Sequence, residues 1–162
     1  MRWIDGSEMP QPYRRLLVHD HDMTSELQNF HDDSISLEVL RWLRKENTYM
    51  REVILHASTS GQPVEYGVIE ILLDSFPLDL HPPILEAHLP LGGILNDSGL
   101  PYHSEPQGFF AFPEAGLTGV FPGPPCGGIL YGRYNHLVRP DHSKILAKII
   151  EILPVENEGK NG

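Results

Sequence analysis

Thr48-Tyr49-Met50-Arg51-Glu52-Val53-Ile54-Leu55-His56 is the stretch that decides the fold. It is dense in β-branched and aromatic residues and stops at the turn signal Ser58-Thr59-Ser60-Gly61, so it reads as a strand with Val64 to Leu73 as its hairpin partner. Alternate residues of a strand point the same way, which puts Arg51 on the face of Val53 and Leu55. An arginine in line with core residues is the first sign of a site.

Working outward, a second hairpin reads from Gly128 to Val138, through the turn Arg139-Pro140-Asp141-His142-Ser143, to Lys144–Leu153. Its second strand sets Ile145, Ala147, Ile149, Glu151 and Leu153 in one row, so a carboxylate interrupts an otherwise apolar face. Ile35 to Leu43 fits a further strand, and a short helix over Leu37–Lys45 fits as well. Upstream, Asp22 or Thr24 is a helix cap, with Glu26 or Leu27 in the first turns. Prolines and glycines concentrate between Pro77 and Pro125, which predicts a loop-rich middle with a helical piece at Pro83–His88 and a turn at Pro90-Leu91-Gly92-Gly93. Residues 156–162 read as a polar tail, leaving one domain over residues 1–155. The fold class expected is α+β: a mainly antiparallel sheet of about six strands, with helices and long loops enclosing a ligand pocket.

Composition narrows the function. The 162 residues carry 12 Lys+Arg against 22 Asp+Glu, a formal charge of -10 that repels nucleic-acid phosphates and anionic lipid surfaces. No apolar run reaches the ~18 residues of a membrane span, and neither a signal peptide nor a disulfide framework is legible around the lone Cys126. A cytoplasmic protein without nucleic-acid or membrane partners is expected. Cys126 has no basic neighbour to activate it, no Gly-x-Ser-x-Gly elbow occurs, and the glycine pairs Gly92-Gly93 and Gly127-Gly128 match no phosphate or dinucleotide fingerprint. His19 and His21, flanked by Asp20 and Asp22, form a ligand-like doublet whose third ligand nothing in the spacing identifies. No metal and no cofactor is expected. What remains is Arg51 and Glu151, two charges on buried faces. Burying either alone costs several kcal/mol, so they pair with each other, escape at strand ends, or hold a polar ligand between them.

Four segments, taken in order, resemble the chorismate pyruvate-lyase family, whose members make 4-hydroxybenzoate. They are Leu16-Leu17-Val18-His19-Asp20-His21-Asp22-Met23-Thr24; Tyr49-Met50-Arg51-Glu52-Val53-Ile54-Leu55 with Gly61-Gln62-Pro63-Val64; Pro90-Leu91-Gly92; and Tyr131-Gly132-Arg133 leading to Glu151-Ile152-Leu153-Pro154. The resemblance implies that Arg51 takes a substrate carboxylate and Glu151 stands at the reacting end, both catalytic, while Met23 and Leu91 touch the ligand from the segments that close over it. It also implies a chorismate lyase-like fold and a cofactor-independent lyase that eliminates pyruvate from chorismate, a reaction driven by aromatisation, to leave a hydroxybenzoate. The chain departs from the family at Gly93 and at Gly67-Val68, where arginines are usual, and its closing hairpin is longer, so Ile150 competes with Glu151 for the aligned position. Strand alternation favours Glu151. Pro101–Pro125 has no counterpart in the family. The alternative is a non-catalytic module of the same fold that binds or senses an aromatic or pre-aromatic carboxylic acid, like the ligand-sensing domains of bacterial transcription regulators.

Overall fold

The computed structural model describes residues 1–117, 119–121 and 128–154; Cys126 and the tail 156–162 lie outside the described residues. Strands β2 (Ile35–Lys45), β3 (Thr48–Ala57) and β4 (Pro63–Leu72) form one antiparallel meander. Strands β5 (His103–Pro113), β6 (Ile129–Val138) and β7 (Ile145–Leu153) form a second. The two meet where β4 pairs antiparallel with β7, from Tyr66 opposite Ile152 to Ile71 opposite Ala147. A short β1 (Arg2–Ile4) completes the order β1-β5-β6-β7-β4-β3-β2 by pairing with β5.

Among the described residues the sheet has seven antiparallel strands, in keeping with the mainly antiparallel sheet of about six that was expected. Both hairpins read from the sequence are present, and the ambiguous segment after residue 34 is the strand β2, not a helix. A bulge between Val39 and Arg41 flips its alternation, so Arg41 sits opposite Glu52 on the outer face and Trp42 opposite Arg51 on the inner one. β5 runs through the stretch expected to be loop. Pro106 and Gly108 hid it; both fall at a register shift of the β5–β6 ladder, where a missing N–H donor is tolerated.

Helices α1 (Tyr13–Leu17), α2 (Met23–His31), α3 (His81–Glu86) and α4 (Leu91–Ser98) connect the strands. The cap of α2 is Asp22, whose Oδ2 accepts the Ser25 N–H at 2.9 Å. Its buried residues Met23, Thr24, Leu27 and Phe30 recur at helical spacing and make one inward face. The expected turn at Pro90–Gly93 is instead the start of α4, with Pro90 at the N-cap. The glycine pair masked this helix, because each glycine weakens the propensity by about 1 kcal/mol.

Alternation sorts the core into two sides. On the inner face, Leu55, Ala57 and Leu153 pack with α1 and α2, whereas Tyr49, Ile69, Ile71, Leu137 and Ala147 pack with α3 and α4. Ile54, Tyr66, Phe110, Leu130 and Ile152 cluster on the outer face under Leu117, Val120 and Phe121. Between the two inner clusters the sheet surface turns polar. Among the described residues no helix is long and apolar enough to cross a membrane.

Candidate functional site

The strand register lays the polar surface out in three rows across β3, β4, β7 and β6. Arg51, Ile69, Ile149 and Asn135 stand abreast, as do Val53, Gly67, Glu151 and Arg133. A third row carries Leu55 beside Glu65 and Leu153 beside Tyr131. Gly67 stands directly opposite Glu151, and a Cβ there would lie 3.3 Å from Val53 Cγ2 and 3.5 Å from Glu65 Oε2. Its missing side chain keeps a hollow open in the middle of the row.

Above the hollow stand the N-termini of α2 and α4. Gly92 lets them approach, since a Cβ on it would meet Thr24 Oγ1 at 3.1 Å. Together with the sheet they enclose a cavity of about 70 Å³, lined among others by Asp22, Met23, Arg51, Glu65, Leu91 and Glu151. Pro90 offers no side-chain cap to the first turn of α4, whose residues Leu91 and Gly92 line the cavity. All four residues singled out from the sequence, Met23, Arg51, Leu91 and Glu151, thus line one cavity. Glu151 is buried and lines the cavity, whereas Ile150 is exposed on the opposite face of β7.

Arg51 and Glu151 do not pair with each other. Strand spacing of ~4.8 Å and a rise of ~3.3 Å per residue put their Cα atoms roughly 12 Å apart, two strands and two residues away. Glu151 is instead joined to Arg133, whose Nε donates to Glu151 Oε2 at 2.9 Å and whose Nη1 donates to the His19 carbonyl at 2.9 Å. Arg133 is fully buried and its Nη2 has no partner. Arg51 is 3% exposed; its Nη1 makes a long 3.4 Å bond to the Ile84 carbonyl, its guanidinium lies 5.9 Å from the Tyr49 ring centroid, and its Nε is unpartnered. Among the described residues no carboxylate lies within ion-pair distance of it. Burial pulls its pKa down, with Tyr49 opposing, yet an arginine stays charged in proteins.

Three residues were missed by sequence reasoning. Arg133, Asn135 and Glu65 carry no motif that marks them in the sequence, and the structure places all three at the site. Asn135 donates through Nδ2 to Ser104 Oγ at 2.8 Å and leaves Oδ1 unpartnered. Glu65 is 5% exposed with Oε1 unpartnered, and burial, reinforced by Glu151 and opposed by Arg133, pushes its pKa well above the usual carboxylate range. The signal was available: Glu65, Gly67 and Ile69 share the face opposite Arg51, and Arg133 and Asn135 alternate with Leu137. The histidine doublet lies at the edge of the site, where the His19 and His21 rings stack 5.6 Å apart and His19 Nε2 lies 2.6 Å from the Leu16 carbonyl.

The fold is similar to two solved structures from Mycobacterium smegmatis. PhnF matches with a TM-score of 0.58 at 10% identity, over 82% of this chain and 63% of that one, so this chain spans less than two thirds of PhnF. The effector domain of PhnF matches with a TM-score of 0.57 at 10% identity, over 82% of this chain and 87% of that one. These likenesses bear on fold alone and support the chorismate lyase-like α+β architecture. No protein-family model and no curated protein matches the chain.

Proposed function

We propose that this chain is a small-molecule-binding domain that holds an organic acid in the cavity between its sheet and the N-termini of α2 and α4. The observation that carries this reading is Arg51: a buried guanidinium with an unpartnered Nε and no carboxylate within ion-pair distance, lining the cavity. A buried, uncompensated cation costs several kcal/mol, and an incoming carboxylate relieves that cost with a charge-assisted bond. Arg133 and Glu151 neutralise one another and leave Arg51 as the anion's anchor. Met23 and Leu91 supply apolar contact. The likeness to a domain named an effector domain supports binding over turnover.

The lyase reading stands second, favoured by the convergence of Arg51, Glu151, Met23 and Leu91 on one cavity. In it, Arg51 clamps a chorismate carboxylate and Glu151 reaches the ring hydroxyl or ether oxygen through its remaining Oε1. Size counts against it. The cavity of about 70 Å³ is roughly half the ~150 Å³ that an engineered cavity offers benzene, so a ring acid enters only if α2 and α4 part.

Calorimetric titration of the whole chain with lactate and 4-hydroxybenzoate, alongside incubation with chorismate and an assay for pyruvate, tests both. Saturable binding without pyruvate release is expected, weakened by Arg51→Ala by about 1.5–3 kcal/mol as a bond to a charged group is lost. Pyruvate release decides for the lyase. Binding that Arg51→Ala leaves unchanged overturns the anchor.

A further inference from the structure

Glu65 is used by neither reading and is the least explained group in the cavity. It reaches the inner face from β4, beside the hollow left by Gly67, and its Oε1 is shut from water without a partner. Among the described residues no cation pairs with it: Arg133 spends Nε and Nη1 on Glu151 and the His19 carbonyl, its free Nη2 falls short of Glu65 and acts on it only through its charge, and Arg51 stands on the far row. Glu151, one strand over and two residues along, puts a second carboxylate nearby, and Asp22 lies at the α2 end of the same cavity. His19 adds no charge, because burial and Arg133 hold its imidazole below the usual range.

We propose that Glu65 is a ligand-binding residue that sets the charge of the ligand: the cavity takes an acid with one negative charge and an uncharged hydroxyl or carbonyl oxygen for the Glu65 carboxyl, and turns dianions away. The inference rests on the binding reading above and names the ligand class for that site. Charge counting supports it. With Glu65 neutral, Arg51 and Arg133 balance Glu151 and Asp22, so a singly charged acid leaves one uncompensated negative charge in the cavity and a dianion leaves two. A neutral carboxyl has a proton to give, so it donates to a ligand oxygen. Burial and the neighbouring Glu151 keep that proton on Glu65 far above the pH at which an exposed carboxyl loses it.

The test compares matched acids on the whole chain by ligand-observed NMR at pH 7: lactate, propionate and malonate, and 4-hydroxybenzoate, benzoate and terephthalate. Wild type should prefer the hydroxy acid to the plain acid by about three- to tenfold, the yield of one neutral hydrogen bond, and should take the dianion least. Affinity should fall as pH rises and Glu65 ionises. Glu65→Gln keeps a donor without a titrating proton and should keep the preference while losing the pH dependence. Glu65→Leu should lose the preference and still bind the plain acids, which reports that its site is folded. Equal affinity within each set, or affinity that rises with pH, overturns the Glu65 assignment while leaving the binding reading intact. If none of these acids binds wild type, both fall together.

Discussion

Arg133 is the residue on which the site's integrity turns. Its guanidinium is fully buried and balanced by Glu151 alone, so removing the carboxylate strands a charge in the core. Glu151→Ala should destabilise the fold by about 3–5 kcal/mol in urea unfolding, while the joint replacement Glu151→Leu with Arg133→Met should recover most of it. A loss below about 1 kcal/mol for the single change would mean the pair is open to water. Glu65 carries a pH signature of its own. Because burial raises its folded pKa above the unfolded value, the folded chain holds a proton that the unfolded chain releases. The stability it contributes is present below the ordinary carboxylate range and is lost as pH rises through the raised folded value. Glu65→Gln should therefore flatten the decline in melting temperature from acid toward neutral pH; a variant with an unchanged profile would show that Glu65 is ionised in the fold.

At the scale of elements, the cavity's roof depends on two helix starts. Gly92→Val should push α4 away from Thr24, cost about 1–3 kcal/mol in thermal unfolding, and weaken acid binding by widening the cavity mouth. Asp22→Ala should cost about 1 kcal/mol through the lost cap on α2 and loosen the same wall. The elements differ in how plainly the sequence marks them. Strands whose faces alternate cleanly, β3 and β7, revealed Arg51 and Glu151, because a charge stands out in an apolar row. β6 hid Arg133, because its inward row of Tyr131, Arg133, Asn135 and Leu137 is half polar and resembles a solvated face. α4 reads locally as a turn because Gly92 serves contact with α2, and a tertiary contact leaves no local signal. β5 was lost for the same reason at Pro106 and Gly108, whose irregularity makes sense only against β6.

At the scale of the whole molecule, two meanders are sewn together by the single β4–β7 ladder, and the site sits across that seam. Arg51 and Glu65 come from one meander, Arg133, Asn135 and Glu151 from the other. Binding therefore bridges the two, and hydrogen exchange at Gly67–Ile71 and Ala147–Glu151 should slow when an acid is bound, more than in the edge strand β1. The chain's net charge of -10 opposes an anion's approach even though Arg51 stands in the cavity to receive it. Association of the acid should accordingly speed up as salt is raised from low ionic strength, the reverse of the usual steering effect.

The central claim is that Arg51 waits in the cavity for an organic anion. The most direct measurement follows the arginine side-chain Nε–H signals in a ¹⁵N-labelled chain, with the Arg51 signal assigned by its loss in Arg51→Lys, as lactate and then 4-hydroxybenzoate are added. The Arg51 Nε–H, which no protein group accepts, should shift saturably toward a hydrogen-bonded position, while the Arg133 Nε–H, already bound to Glu151, moves little. An Arg51 signal that stays in place while other residues report binding would put the acid elsewhere and contradict the account.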